Sequence, residues 1–244
     1  MKKIYVTTAP FDANNPLISN NLQKLGFEFV LNPHKRKMTL SEISSFLPRN
    51  LEFLIAGTEN YTEEFLSEFR ELKVISRVGI GIDNIPLKYC KREKIEVFNT
   101  PSAPSEAVAQ LTLQLILMGI RGTFISNFKI KKGIWERRLG EDLRDTNIGI
   151  VGYGRIGKRV SDILTAGFGI TPFVHDIDDD LNFSKVQRIN LEELFKRSDV
   201  ISLHLPLTSK SNNLISKNVL KNFEKPIGII NTSRGGIVNE KDLF

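Results

Sequence analysis

The sequence predicts an α/β chain of two doubly wound domains, each a parallel sheet with helices on both faces. Three observations predict it. Short apolar runs alternate with stretches of helical periodicity, and strands that alternate with helices pair in parallel because the helix is the crossover. The rhythm breaks once, at NTPSAP (99–104), which carries two prolines. Beyond that break the alternation restarts on a buried strand and a glycine-rich turn. The expected domains are residues 1–99 and 100–244, the second incomplete.

In the first domain the strand candidates are KIYVTT, FEFVLN, EFLIA, KVISR and IEVFN. LISNNLQKLG, closed by Gly26, and TEEFLSEFREL are the helical stretches between them. SRVGIGIDNIPL (76–87) follows a strand and sets Gly79 and Gly81 in a loop before a helix, where backbone N–H groups can face an anion. After the break comes a long apolar helix, SEAVAQLTLQLILMGIR, opened by Ser105. Its row of Leu, Ile and Met reads either as core packing or as a dimer surface. Then follow NIGIVG, a helix from Arg155, TPFVHD, LEELFKRS, VISLHL, a helix near Ser216 and the strand PIGIIN. NTSRGG is a polar turn that holds Arg234. Asn239 is an N-cap candidate, and Glu240 and Asp242 suit the positive end of a starting helix.

Hydrophobic residues make up 41% and charged residues 25%, as in a globular protein. No apolar run has the length of a membrane span, and MKKIYVTT lacks the apolar region of a signal peptide, so no membrane partner and a cytoplasmic location are expected. A single cysteine, Cys90, excludes an intrachain disulfide, and in a helical stretch it reads as packing. Net charge is +6, densest in KIKKGIWERR (129–138), which is either a solvated helix end or a patch that attracts anions. No aromatic-basic signature or zinc-finger spacing accompanies it. A nucleic-acid partner is the weaker reading, and a small acidic substrate the better one.

NIGIVGYGRIGKRV spaces Gly152, Gly154 and Gly157 as G-x-G-x-x-G after a strand and before a helix, and a second strand ends on Asp176. That context points to a dinucleotide-binding Rossmann unit. Gly152 permits the tight turn, Gly154 lets the backbone approach a pyrophosphate, and Gly157 lets the helix sit close to the strand. The amides of Arg155 and Ile156 would face the phosphates at the positive end of the helix. Asp176 would accept hydrogen bonds from ribose hydroxyls and repel the extra phosphate of NADP, helped by Asp178, Asp179 and Asp180. NAD is the expected cofactor. An arginine held as Arg234 is suits a bidentate grip on a carboxylate.

SRVGIGIDNI, NTPSAPSEAVAQLTL, GIVGYGRIGKRV, HLPLT (204–208) and INTSRGGIVNE together resemble the NAD-dependent D-isomer-specific 2-hydroxyacid dehydrogenases, in that family's order and over nearly the whole chain. The resemblance implies a flavodoxin-like substrate domain, a Rossmann NAD-binding domain, catalysis in the cleft between them, and a homodimer built through the NAD-binding domain. It implies that Arg234 is the catalytic arginine that binds the substrate carboxylate and polarises its 2-oxo group. Val78 and Gly79 would share that carboxylate through their amides, and Arg77 would add charge. Leu205, Pro206, Thr232 and Ser233 would line the cofactor pocket, with His204 packing beside it.

The family's acid–base pair, a carboxylate and a histidine, follows the NTSRGG turn, whereas His34, His175 and His204 all precede Arg234. The expectation is a C-terminally truncated copy that lacks the return helix to its first domain and is inactive alone. The alternative class is a non-catalytic NAD-binding or redox-sensing protein. Among substrates, ELKVISRVGIGIDNI and APSEAVAQLTL look most like phosphoglycerate dehydrogenases, so 3-phosphoglycerate comes first, ahead of glycerate, glyoxylate or another small 2-oxo acid. Gly57 and Thr58 stand where many phosphoglycerate enzymes carry an arginine, which counts against that choice.

Overall fold

Every strand pair in the structure is parallel, as alternation with helices requires. The structure, a computed structural model, describes all residues except Pro10, Glu224 and Phe244, and the backbone alone of Leu17. Two units divide the chain, Met1–Pro104 and Ser105–Phe244, so the two-proline segment goes with the first.

The first unit runs β1 (Lys2–Val6), α1 (Pro16–Lys24), β2 (Phe27–Leu31), α2 (Leu40–Phe46), β3 (Phe53–Ala56), α3 (Glu63–Leu66), β4 (Val74–Arg77), α4 (Leu87–Arg92) and β5 (Glu96–Asn99). Its sheet order is β2-β1-β3-β4-β5. Thr39 and Glu42 close a capping box on α2, satisfying donors that the first turn leaves open. TEEFLSEFREL forms only the short α3. Ser67 turns its hydroxyl back to Glu64 O at 2.6 Å, the local competition that makes serine a poor interior residue. Ile43, Leu54, Leu66 and Ile75 are fully buried in the core, and Cys90 packs among them at 1% exposure.

The second unit runs α5 (Ser105–Arg121), α6 (Thr123–Lys131), β6 (Ile148–Val151), α7 (Arg155–Phe168), β7 (Phe173–His175), β8 (Gln187–Arg188), α8 (Leu191–Arg197), β9 (Val200–Leu203), α9 (Lys217–Leu220) and β10 (Gly228–Asn231). The sheet order is β10-β9-β6-β7-β8. Strands β6 and β9 are buried at every position, which is why both read as unbroken apolar runs. α5 turns Ala109 and Ile116 into the core with Val160 and Leu164 of α7, so packing accounts for one face. Leu111 on α5 stays exposed.

Two expectations change. The helix expected from Asn239 is a 3-10 turn, Glu240–Leu243, and Asp242 accepts from the Lys217 N–H at 2.7 Å, serving the start of α9 instead. The basic stretch is split. Lys129 and Lys131 close the last turn of α6, where cations suit the dipole, and the residues from Ile134 to Leu139 leave it without regular structure. No single helix among the described residues is long and apolar enough to cross a membrane. α5 and α6 reach that length only as a pair, and they are bent by 69° at their break.

Candidate nucleotide and substrate site

Register brings the expected nucleotide residues together. Val151 pairs with both His175 and Leu203, and Leu203 pairs with Asn231. The next residues, Gly152, Asp176, His204 and Thr232, therefore emerge side by side from the carboxyl edge of the second sheet. The chain goes one way from β6 to β7 and β8, then returns to β9 and β10 on the other side. That reversal is where open α/β sheets take ligands.

The three glycines serve different needs. Gly152 has φ +95°, and a Cβ there would stand 2.5 Å from His204 O and 3.0 Å from the Leu205 side chain. A Cβ at Gly157 would be driven into Gly152 O, so only glycine lets α7 start this close to β6. Gly154 differs: a Cβ there would meet no protein atom within 4 Å. The protein's own packing does not require that glycine. Gly154 is the N-cap of α7 and has no side-chain cap hydrogen bond, so the first-turn amides of Arg155 and Ile156 gain no partner from a capping side chain. An open cradle at the positive end of a fourteen-residue helix fits a pyrophosphate.

Asp176 stands beside that cradle. Its Oδ2 accepts the Tyr153 N–H at 2.5 Å and its Oδ1 the Asp178 N–H at 2.9 Å. The neighbouring acids are used locally: Asp178 accepts from the Asp180 amide at 3.1 Å, and Asp179 pairs with Arg188. Across the edge, Thr232 Oγ1 lies 2.9 Å from Thr112 Oγ1 of α5, a tie that the sequence hints at only through a threonine inside an apolar helix. Pro206 O accepts the Ser211 hydroxyl at 2.6 Å, fixing the turn that carries Leu205 over Gly152.

Arg234 follows β10. Asn231 organises its turn: Oδ1 accepts the Ser233 N–H at 3.1 Å and hydroxyl at 2.8 Å, and Nδ2 donates to Arg234 O at 2.8 Å. Arg234 Nη1 donates to Ser233 O at 2.9 Å, and the guanidinium lines a hollow of about 330 Å³ with Asn231, Ser233 and Glu240. The two histidines of this unit are engaged. His175 Nδ1 lies 3.3 Å from Ile189 O, and His204 Nε2 lies 2.8 Å from Ser202 Oγ. Burial holds the His204 imidazole down at about 4, so it is neutral at working pH.

In the first unit, Gly79 has φ +137° and Arg77 folds over it, its guanidinium occupying the space of a Cβ and donating to Val78 O. The Val78 and Gly79 amides, expected to face an anion, are already donors inside the fold, to Ala56 O at 3.0 Å and Thr100 Oγ1 at 2.8 Å. The cause is parallel pairing: β4 continues its ladder with β3 one residue beyond Arg77. Sequence reading also missed Asn84, whose Nδ2 donates to Gly57 O at 3.1 Å and Glu59 O at 2.6 Å and so ties the loops after β3 and β4 together.

Residues 113–244 match the NAD binding domain of the D-isomer specific 2-hydroxyacid dehydrogenases. The chain belongs to that family. It is 30% identical over 233 residues to the hydroxypyruvate reductase of Thermotoga maritima, covering 95% of this chain and 76% of that one. It is 34% identical over 196 residues to the D-3-phosphoglycerate dehydrogenase of Methanocaldococcus jannaschii, which takes in 78% of this chain and 37% of the relative. Among solved structures, the Aquifex aeolicus D-lactate dehydrogenase complexed with NAD and lactic acid superposes with a TM-score of 0.82 at 28% identity, over 99% of this chain and 72% of that one. This member of the family thus has the parallel α/β architecture of its dehydrogenase relatives and carries their NAD-binding domain.

Proposed function

We propose that the chain serves an NAD-dependent oxidoreduction of a small 2-hydroxy or 2-oxo acid. The observation that carries this reading is the open cradle at Gly154 with Asp176 beside it, on a family NAD-binding domain. Gly152, Gly154, Arg155, Ile156 and Gly157 hold the pyrophosphate and Asp176 the adenosine ribose, while Leu205, Pro206, Thr232 and Ser233 wall the cofactor. NAD supplies the hydride acceptor. Arg234 grips the acid's carboxylate and draws electron density from its C2 oxygen. Arg77 adds positive charge in the first unit.

Oxidation of the C2 hydroxyl also releases a proton, and a histidine of ordinary pKa is the usual acceptor. In the second unit His175 Nδ1 lies against Ile189 O and His204 Nε2 against the Ser202 hydroxyl, and neither is proposed as that acceptor. The exposed apolar side chains of α6 and the following segment, Phe124, Phe128, Trp135 and Leu139, support a homodimer through the NAD-binding unit, since isolated monomers rarely leave such a patch open.

The test is a titration of the purified protein with NADH and NADPH, followed by nucleotide fluorescence. NADH is expected to bind about tenfold more tightly or better, because a carboxylate facing a 2′-phosphate repels it. Equal binding of both, or of neither, would sink the reading.

A further inference from the structure

α5 turns three buried residues into the second unit, Ala109, Thr112 and Ile116, and the middle one is polar. Thr112 Oγ1 makes two hydrogen bonds. One reaches Val108 O, a helical turn back, at 2.8 Å, and the other reaches Thr232 Oγ1, just past β10, at 2.9 Å. A carbonyl oxygen only accepts, so Thr112 donates its single hydroxyl proton to Val108 O. The bond between the two hydroxyls then has one direction: Thr232 donates and Thr112 accepts. Thr232 has no second hydroxyl proton, so towards anything else its oxygen acts as an acceptor.

Thr232 is half-buried at the carboxyl edge of the second sheet, next to His204 and on the side of Gly152 away from Asp176. With the pyrophosphate at the Gly154 cradle and the adenosine at Asp176, the other half of the dinucleotide runs towards β9 and β10. That half, the nicotinamide nucleoside, carries amide N–H groups and two ribose hydroxyls. The ionised phosphate oxygens carry no proton to give.

We infer that Thr112 is a positioning residue for the cofactor: it takes the Thr232 proton and so presents Thr232 as a fixed acceptor to a donor of the nicotinamide nucleoside, an amide N–H or a ribose hydroxyl. The inference rests on the proposed reading of the chain as an NAD binder. Without Thr112 Oγ1 the Thr232 hydroxyl is free to rotate. A ligand donor then has to turn it away from water or from its own approach. An acceptor set before the ligand arrives removes that ordering cost. The tie spans 120 positions, from a buried helix face to a strand end, so neither local pattern contains it.

Titrations with NADH, and with ADP, which lacks the nicotinamide nucleoside, test this in the wild type, Thr112→Val and Thr112→Ser. Valine keeps the shape of threonine without the hydroxyl, and serine keeps the hydroxyl. NADH is expected to bind Thr112→Val about fivefold more weakly, the worth of one neutral hydrogen bond. Thr112→Ser should stay near the wild type, and ADP binding should be the same in all three. In a Thr232→Val background Thr112→Val should cost nothing further, because Thr112 acts through that oxygen. The 3-acetylpyridine analogue of NADH has no amide N–H and identifies the donor. If Thr112→Val weakens it as much as NADH, the donor is a ribose hydroxyl; if not at all, it is the amide. Unchanged NADH binding in a folded Thr112→Val overturns the inference, as does an equal loss of NADH and ADP or an additive loss in the double variant. A fivefold loss of NADH in Thr112→Ser overturns it even if Thr112→Val does not fold. Failure of the wild type to bind NADH sinks the functional reading, and the inference with it.

Discussion

Asp176 and Tyr153 are locked together: the carboxylate that ends β7 accepts the amide of the residue between the first two glycines of the cradle, at 2.5 Å. One side chain thus fixes the loop proposed for a pyrophosphate and presents the charge proposed for a ribose. Asp176→Asn keeps the shape and removes the charge. NADH affinity should fall by about tenfold, the worth of one charge-assisted hydrogen bond, while NADPH affinity rises or holds. Fluorescence titration with both nucleotides checks this, and a uniform loss for the two would contradict it.

The glycines separate packing from binding. Gly154→Ala adds a methyl to empty space, so the melting temperature should barely move while NADH binding is lost, the methyl lying where the pyrophosphate must approach. Gly157→Ala drives its methyl into Gly152 O, so overpacking should lower stability by about 1–3 kcal/mol or more, and binding falls with it. Thermal melts paired with NADH titrations distinguish the two.

Arg234 should matter for the acid and not for the nucleotide. Arg234→Gln is expected to leave the NADH dissociation constant within about twofold and to weaken acid binding to the NADH complex by about tenfold or more, the loss of a charge-assisted pair. Calorimetry with D-glycerate reads the difference directly.

His204 gives the fold a dependence on pH. In the unfolded chain its imidazole takes a proton near 6.5, whereas in the folded chain it does so only at about 4. Between those values the unfolded state holds more protons, so this contribution to stability is fully present above 6.5 and is lost as pH falls toward 4. Urea unfolding at pH 7 and pH 4.5 should show the wild type losing about 2 kcal/mol more than His204→Gln. Equal losses would mean that the ring is not desolvated as the fold implies.

The α6 patch makes a prediction about assembly. Phe128 is 52% exposed on that helix, and Phe128→Glu sets a charge inside the apolar strip. Sedimentation should show the wild type as a dimer and the variant shifted to monomer, with NADH still bound. A monomeric wild type would remove the patch from the account.

The sequence by itself determined the two parallel α/β units, because a βα rhythm leaves a parallel sheet as the only short-range pairing. It determined the turn between β6 and α7 too. Gly152 and Gly157 answer local constraints of backbone angle and close approach, and the spacing is what proposes Gly154 and Asp176 for the nucleotide. HLPLT and NTSRGG were legible for the same reason, as strand ends followed by tight turns. NTPSAP was legible as the place where the alternation stops.

What only the tertiary structure decided is which groups remain available once neighbours have made their claims. The Val78 and Gly79 amides looked free in the sequence and are taken by Ala56 and Thr100. Asp242 looked like the first turn of its own helix and serves α9. Hydrogen-bond partners and burial are set by residues tens of positions away, as Thr7 is from Tyr61, and no local pattern encodes that distance. Spacing fixes what a segment can form; packing decides which of its polar groups are left to meet a ligand.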